Sequence, residues 1–526
     1  VLEANQSVGG VWSAERVYPD LKSNNIARRY EYPDFPMDKS KYGVKDGEHI
    51  PAAIIQQYLT DVARKTGVMA RTRFGWRVDH VKSLGADGWD LVVSHDELES
   101  TITTRRLIIA TGLLNMPNMP TFDGEKDFCG PIFHSRDFKG QLHETKTARR
   151  AVVIGGAKSA YDVAWSYAQA GVPVDLLIRP DGNGPTWFAP AFVTPLKLSL
   201  ECLTSTRAIS WFSPCPFGSE DGWKRLRSIL HGTWFGKLVT SAFWTVVESD
   251  VIRTVAWDKH PETAKLKPWN SMFWRGSNAG ILNYDHDWLD LVRDGKVRVH
   301  VANVDYLSHN EVHLTDGTVL DDVDALVCAT GFIRDSSIKF GDDVNLGLPK
   351  TSEELSTMKE QADAQLLGMY PRLLNQPQLG KAHKEVEPLR LYRFIVPSAF
   401  IESRNIAFVG HVNIYSTPVS AAIQALWVSA FFDGHLSRLL KADQVNEEVM
   451  LHTQWGKWRY PCGFGPSMPD MVFDCVPYQD MLLNDLGMKA QRKNGILKEM
   501  FESYWPTDYD GLLDEWRLEL NARKGT

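Results

Sequence analysis

The chain has 526 residues, 43% of them hydrophobic and 23% charged, which suits two or three folded domains or one large composite domain. A net charge of −7 with no long basic run gives nucleic acid no footing. No stretch approaches twenty uninterrupted apolar residues, so no transmembrane helix is expected.

The opening stretch, "VLEANQSVGGVW", is a short apolar strand ending in Glu3 and followed by the pair Gly9-Gly10. It looks like the second half of a nucleotide-binding unit. A carboxylate at such a strand end accepts from a free ribose hydroxyl. No cation stands beside Glu3, which suits the adenine ribose of FAD. The strand, "GxGxxG" turn and helix that should come first are not in the sequence, and the first residue is Val rather than Met. Residues upstream of Val1 are therefore expected, and without that turn FAD should be held poorly. No signal peptide is read.

Residues 17–38 are rich in turn formers and aromatics and read as a loop. In "IPAAIIQQYLTDVARKTGV", Ile54, Ile55, Leu59, Val62 and Ala63 share one helical face. Strands follow at "RVDHVKSL" and "WDLVVSH", then "RRLIIATG", an apolar strand running into Ala110, Thr111 and Gly112. The pattern recurs at 311–331: "EVHLTDGTVL" is a hairpin turning at Asp316-Gly317, and "DALVCATG" ends at Ala329, Thr330 and Gly331. Two copies suggest two related nucleotide-binding domains, each ending on a strand whose terminal glycine lets backbone approach a ligand.

Between the copies lies "ARRAVVIGGAKSAYDVAWSYAQAGVPVDLLIRP". It reads as a buried parallel strand, a phosphate-binding turn, a helix and a second strand. Gly155 and Ala160 match the outer fingerprint positions, while Ala157 replaces the middle glycine. The second strand ends at Arg179, 24 residues after Gly155. A cation there pairs with a ribose 2′-phosphate and favours NADPH; the alternative is an ordinary surface arginine.

Residues 187–288 hold nine of the 18 tryptophans. Three readings stand: a helical subdomain with its own aromatic core, a lid over an apolar substrate site, and a monotopic membrane patch, since Lys and Arg are interspersed. The six cysteines, at 129, 202, 215, 328, 462 and 475, make no C-x-x-C and no Cys/His cluster. This disfavours a disulfide reductase and a structural zinc site, and suits reduced, buried thiols in an intracellular protein.

In order along the chain, "GGVW", "YPDLKSNN", "YEYPDFP", "ATGLLNMPNMP", "FCGPIFHSRDF", "GGAKSAYD" and "ATGF" resemble the flavin-containing monooxygenases, the class B flavoprotein group that includes Baeyer–Villiger enzymes. The resemblance covers roughly 1–180 and 310–435, and the tail from "VFDCVPYQDM" is similar to fungal members. It implies an α/β fold of two dinucleotide-binding, Rossmann-like domains. The FAD domain is split into 1–147 and 321–440. An NADPH domain spans 148–320 with the Trp-rich, mostly helical insertion 187–288, and 441–526 is a C-terminal extension.

The resemblance implies oxygen insertion from O2 into a small, apolar organic molecule through a C4a-(hydro)peroxyflavin, with FAD and NADPH as cofactors. "FCGPIFHSRDF" fits F-x-G-x-x-x-H-x-x-x-(W/F/Y) at Phe128, Gly130, His134 and Phe138. Baeyer–Villiger enzymes typically have Trp where this chain has Phe138, which tilts the reading towards N- or S-oxygenation. Baeyer–Villiger oxygenation, or an NADP-binding chain without FAD, are the alternatives. His134 is placed at the junction of the two domains. Asn24 aligns with the loop asparagine near the flavin, with Asn25 the neighbour to be told apart from it. Gly9, Gly10 and Trp12 match the FAD loop, Lys158 and Ser159 continue the phosphate turn, and Gln424 matches a glutamine–tryptophan helix. Val78 is counted with the cofactor-contacting positions. No metal is expected. The location implied is cytoplasmic or peripheral on an intracellular membrane.

Overall fold

Strands buried on both faces read as nearly continuous apolar runs. Three such runs, Ala151–Ile154, Val174–Leu177 and Ala325–Cys328, meet in the computed structural model of the chain. The structure describes residues 1–193, 198–333, 338–342, 344–347, 351–378, 380 and 387–524. Residues 194–197 of the Trp-rich stretch lie outside the described residues. The three strands form the centre of a five-stranded parallel sheet in the order Ile132–His134, Ala325–Cys328, Ala151–Ile154, Val174–Leu177, Val297–His300. Asp175, the one charged residue in the central runs, is satisfied by His300 Nε2 at 2.8 Å and Arg150 Nε at 3.5 Å. The Lys158–Gln169 helix covers one face, burying Ala160, Val163, Ala164 and Tyr167.

The sheet reaches beyond the boundaries expected at 148 and 320. Ile132–His134 and Ala325–Cys328, assigned by sequence to the flanking parts, are hydrogen-bonded into the same sheet as Ala151–Ile154. Pairing between strands almost two hundred residues apart is a tertiary fact with no local signature.

Around this sheet the other segments form smaller ones. Leu2–Glu3 pairs in parallel with Arg73–Phe74, and Leu107–Ile109 with Ile406–Phe408. Arg77–Ser83, Trp89–His95 and Leu98–Thr104 make an antiparallel meander, with Lys339–Phe340 added along one edge. Val78 belongs to this meander and is half-buried beside Val81 and Trp89. The expected helix forms as Ala52–Lys65, and the expected hairpin as Glu311–Leu314 with Val319–Leu320.

The Trp-rich stretch is largely helical, and six of its nine tryptophans are buried: Trp187, Trp211, Trp244, Trp257, Trp274 and Trp288. Its core is shared with the C-terminal extension. Arg207 is fully buried, its guanidinium on Asp480, on Glu499 Oε1 at 2.7 Å and on the Tyr504 hydroxyl at 3.0 Å. Trp455 Nε1 donates to Pro214 O at 2.5 Å, and Arg459 lies 3.9 Å over the Phe273 ring. No helix among the described residues is long and apolar enough to cross a membrane. All six cysteines are free; Cys215, Cys328, Cys462 and Cys475 are buried, Cys202 is half-buried and Cys129 is exposed.

Removing one partner of a buried ion pair strands the other charge. Arg207→Ala should therefore lower the unfolding free energy by about 3–5 kcal/mol. Urea denaturation followed by tryptophan fluorescence checks this, since the buried indoles of the insertion report on the same packing.

Candidate functional site

The turn after Ala151–Ile154 shows why the fingerprint takes its particular residues. Gly155 has φ of +147°, and a Cβ there would lie 2.5 Å from the Ala329 carbonyl oxygen. Glycine is thus required for the close approach of this strand to the second Ala-Thr-Gly. Ala157 has φ −111° and ψ 175°, extended backbone that alanine adopts without strain, and it caps the Lys158–Gln169 helix without a side-chain hydrogen bond. The first amides of that helix, including those of Lys158 and Ser159, lack intrahelical acceptors. Residues 155–159 are half-buried, so the positive end of the helix opens to solvent beside the glycine turn.

Arg179 lies two residues past the Val174–Leu177 strand and is exposed, with no ion pair among the described residues. Lys158 is different. Its ammonium is bound to Asp162 and reaches the Tyr284 hydroxyl at 3.3 Å, so its charge is used inside the chain. Ala160 is fully buried beneath the turn.

The two Ala-Thr-Gly ends are clasped together. Met116–Pro117, after the first, pairs antiparallel with Phe332–Ile333, after the second. The Gly331 carbonyl accepts from Asn118 N–H at 3.0 Å and from His134 Nε2–H at 2.8 Å. Thr330 Oγ1 donates to Asn118 O at 2.5 Å. His134 is buried, and its Nδ1 accepts from Arg136 N–H at 3.1 Å. Both ring nitrogens are spent in a way that only the neutral Nε2–H tautomer allows. Burial, the largest influence, holds its pKa below the ordinary histidine value, against the opposing pull of the Gly331 carbonyl. Arg16 donates to Leu114 O and Arg136 to Asn115 O, which fixes the connecting loop. Burial, then Arg136, depresses the Arg16 pKa to about 10. Phe138 is fully buried, edge-on to Tyr18 at 4.9 Å.

On the other side, Glu3 ends its strand half-buried, one oxygen accepting from Asn5 N–H at 2.8 Å. Gly9 has φ of +128°, and a Cβ would meet Trp12 O at 2.7 Å, so the turn into Gly10–Trp12 demands glycine. Gly10 has φ of +58° and is exposed, while Trp12 Nε1 donates to the Tyr30 hydroxyl at 3.1 Å. Ala110, Thr111 and Gly112 are all exposed, and Gly112 has φ of +72°. Ala329 is buried against the Ile154 carbonyl.

Asn24 and Asn25 separate cleanly. Asn25 donates to Glu201 Oε1 at 2.5 Å and to Tyr415 O at 3.1 Å, a wholly internal role. Asn24 is exposed, and only its Oδ1 is engaged among the described residues, by Ile281 N–H at 3.4 Å. Its amide donors are free to face a ligand. Gln424 is set apart from the expected cofactor contacts. It is buried, its Oε1 accepts from Gly410 N–H at 2.9 Å, and its Nε2 donates to the Tyr478 hydroxyl at 2.7 Å. Its place is to hold the 409–413 loop. Sequence reasoning missed Asn118, Arg16 and Arg136; the Asn-x-Pro spacing around Asn118 was the available signal, and only the fold brings it to Gly331. Among the described residues no cluster could hold a metal ion.

This geometry stands beside known proteins. Residues 23–195 match the family model described as pyridine nucleotide-disulphide oxidoreductase. The chain is 32% identical to an FAD-dependent monooxygenase of Pyrenophora dematioidea, over 95% of this chain and 94% of that protein. The chain belongs to the FAD-dependent monooxygenases. A relative from Aspergillus sclerotiorum, FAD-dependent monooxygenase resA, is 29% identical over 99% of this chain and 94% of its own. In fold, this monooxygenase is similar to the cyclohexanone monooxygenase of Rhodococcus sp. Phi1 bound to NADP+, with a TM-score of 0.60, 16% identity and 92% of each chain covered.

His134→Phe should cost about 1–3 kcal/mol at neutral pH, because it leaves buried polar groups short of a partner. The depressed pKa of the folded state means this stabilisation is present above the ordinary histidine value and is lost as pH falls below it. The wild-type Tm should therefore fall more steeply than that of the variant between about pH 7 and 5, which calorimetry at stepped pH reads directly.

Proposed function

We propose that this FAD-dependent monooxygenase takes its electrons from NADPH and places one oxygen atom on the nitrogen or sulfur of a small organic molecule. One observation carries the NADPH reading: an uncapped helix N-terminus at Ala157–Ser159 follows the strand Ala151–Ile154, whose end is paired with the end of Val174–Leu177, and two residues beyond that end comes Arg179, an exposed cation without an acidic partner among the described residues. The helix amides would take the pyrophosphate and Arg179 the 2′-phosphate. Gly155 contributes by bringing the turn against Ala329.

The other unit fits an adenine dinucleotide in the parts that can be tested. Glu3 keeps one carboxylate oxygen clear of its own backbone, the Gly9 turn has no room for a side chain, and Ala110–Gly112 offers bare backbone. Glu3 would accept from the ribose, and the 9–12 loop and Ala110, Thr111 and Gly112 would line the dinucleotide. Bound FAD supplies the electron relay between NADPH and O2. The chain's own part is to hold, orient and exclude water. Asn24 is held through its Oδ1, which accepts from Ile281 N–H in the strand Ala279–Leu282, and its amide donors would be left for the ligand. Neutral His134 keeps the two units in register through Gly331 and neither gives nor takes a proton.

The overall balance is substrate, O2, NADPH and one proton giving oxygenated substrate, NADP+ and water. Phe138, where Baeyer–Villiger enzymes typically carry Trp, supports oxygenation at N or S. Tertiary amine and sulfide probes should yield the N-oxide and sulfoxide; an ester or lactone from a ketone probe, with no heteroatom product, would overturn this choice. Arg179→Ala should raise KM for NADPH about 10–100-fold with little change for NADH, the loss of a charge-assisted contact. Steady-state rates with both coenzymes check it. Asn24→Ala should leave NADPH binding intact while diverting electrons to hydrogen peroxide, read as peroxide formed per NADPH consumed.

A further inference from the structure

The Trp234–Val255 helix carries apolar residues on its exposed face as well as its buried one, with its acidic residues Glu248 and Asp250 confined to the C-terminal half. Only its inner face is enclosed, through Gly236, Thr240, Trp244, Val251 and Val255. Its outer face carries Trp234, Leu238, Ala242 and Val246 at four-residue spacing, all exposed, with Trp234 at 79% and Val246 at 68%. Phe235 and Ile229 stand exposed beside Trp234, at the corner where the Lys224–Gly232 helix meets this one. The corner is tight, since a Cβ on Gly236 would lie 2.6 Å from Leu230 Cα. The short Ile496–Phe501 helix sends Met500 into the same small cluster as Leu230 and Val239, and leaves Ile496, Leu497 and Phe501 exposed. Single exposed apolar residues are ordinary, but a stripe flanked by a second apolar helix is not.

Charge identifies the occupant. Residues 222–247 contain Lys224, Arg225, Arg227 and Lys237 and no Asp or Glu, in a chain of net charge −7. Arg227 is buried against Asp221, and His231 is buried and held neutral, its pKa pushed down to about 3 by desolvation. Lys224, Arg225 and Lys237 remain around the apolar corner with no ion pair among the described residues, while Lys498 on the neighbouring helix shares its field with Glu502. We infer that this face docks on an anionic lipid surface, with Trp234, Phe235 and Leu238 entering the interface and the cations meeting the headgroups. Exposed Trp, Phe and Leu beside Lys and Arg are what an interfacial helix needs. A second copy of the chain fits poorly, because a two-fold contact would set these cations against themselves.

The test uses the full chain and sedimentation with vesicles of phosphatidylcholine alone or with about 30% phosphatidylserine. The expected result is binding to the anionic vesicles that weakens with salt. It should fall at least about tenfold in the triple variant Trp234→Ser, Phe235→Ser, Leu238→Ser, and likewise in the double variant Lys224→Glu, Arg225→Glu. Far-UV circular dichroism verifies folding, and the charge variant decides alone if the triple variant does not fold. No binding to anionic vesicles, binding untouched by a folded variant, or a self-associated dimer in sedimentation equilibrium that the same substitutions dissolve would each overturn the inference.

Discussion

The backbone carbonyl of Gly331 is the hub at which the two Ala-Thr-Gly ends are clasped, beside the pairing of Met116–Pro117 with Phe332–Ile333 and the Thr330 hydroxyl on Asn118 O. It accepts from Asn118, in the loop that leaves the first Ala-Thr-Gly, and from His134, at the end of an edge strand in the five-stranded sheet. One carbonyl has two lone pairs, and both are filled here by segments remote in sequence. The bond to His134 requires a neutral imidazole, because its other nitrogen accepts from a backbone amide. The clasp at Gly331 thus uses a neutral imidazole, the form that burial favours.

Glycine serves the same end at two other places. At Gly155 the absence of a side chain lets the phosphate-type turn press against Ala329, and at Gly9 it lets the chain fold back on Trp12. The Trp-rich insertion and the C-terminal extension then brace this arrangement from outside. They share one core, crossed by the buried guanidinium of Arg207 and by Arg459 among the aromatic rings. Ion pairs at such depth cost desolvation and are tolerable only when hydrogen-bonded on every side, which the Arg207 cluster achieves with Asp480, Glu499 and Tyr504.

What could be read from the sequence was what depends on neighbours along the chain. The Ala151–Ile154 strand, its turn and the Lys158–Gln169 helix were legible because burial periodicity and glycine placement are local. The strand's partner Ala325–Cys328 was not, since it comes from far along the chain and carries Ile132–His134 on its other edge. At the site the same division holds. Arg179 lies two residues past the end of its strand and is exposed, whereas Lys158 finds Asp162 and Tyr284, and Gln424 finds Gly410 and Tyr478, partners no motif announces. Counting tryptophans signalled an aromatic core but could not separate buried Trp244 from exposed Trp234 on one helix.

The proposed activity rests on one exchange of electrons between two bound dinucleotides. The most direct measurement is an anaerobic visible absorption titration of the purified protein with NADPH. A flavin band that bleaches on NADPH, much less readily on NADH, and returns when air is admitted is the predicted result. A protein without a flavin band, or one whose band NADPH leaves unchanged, would contradict it.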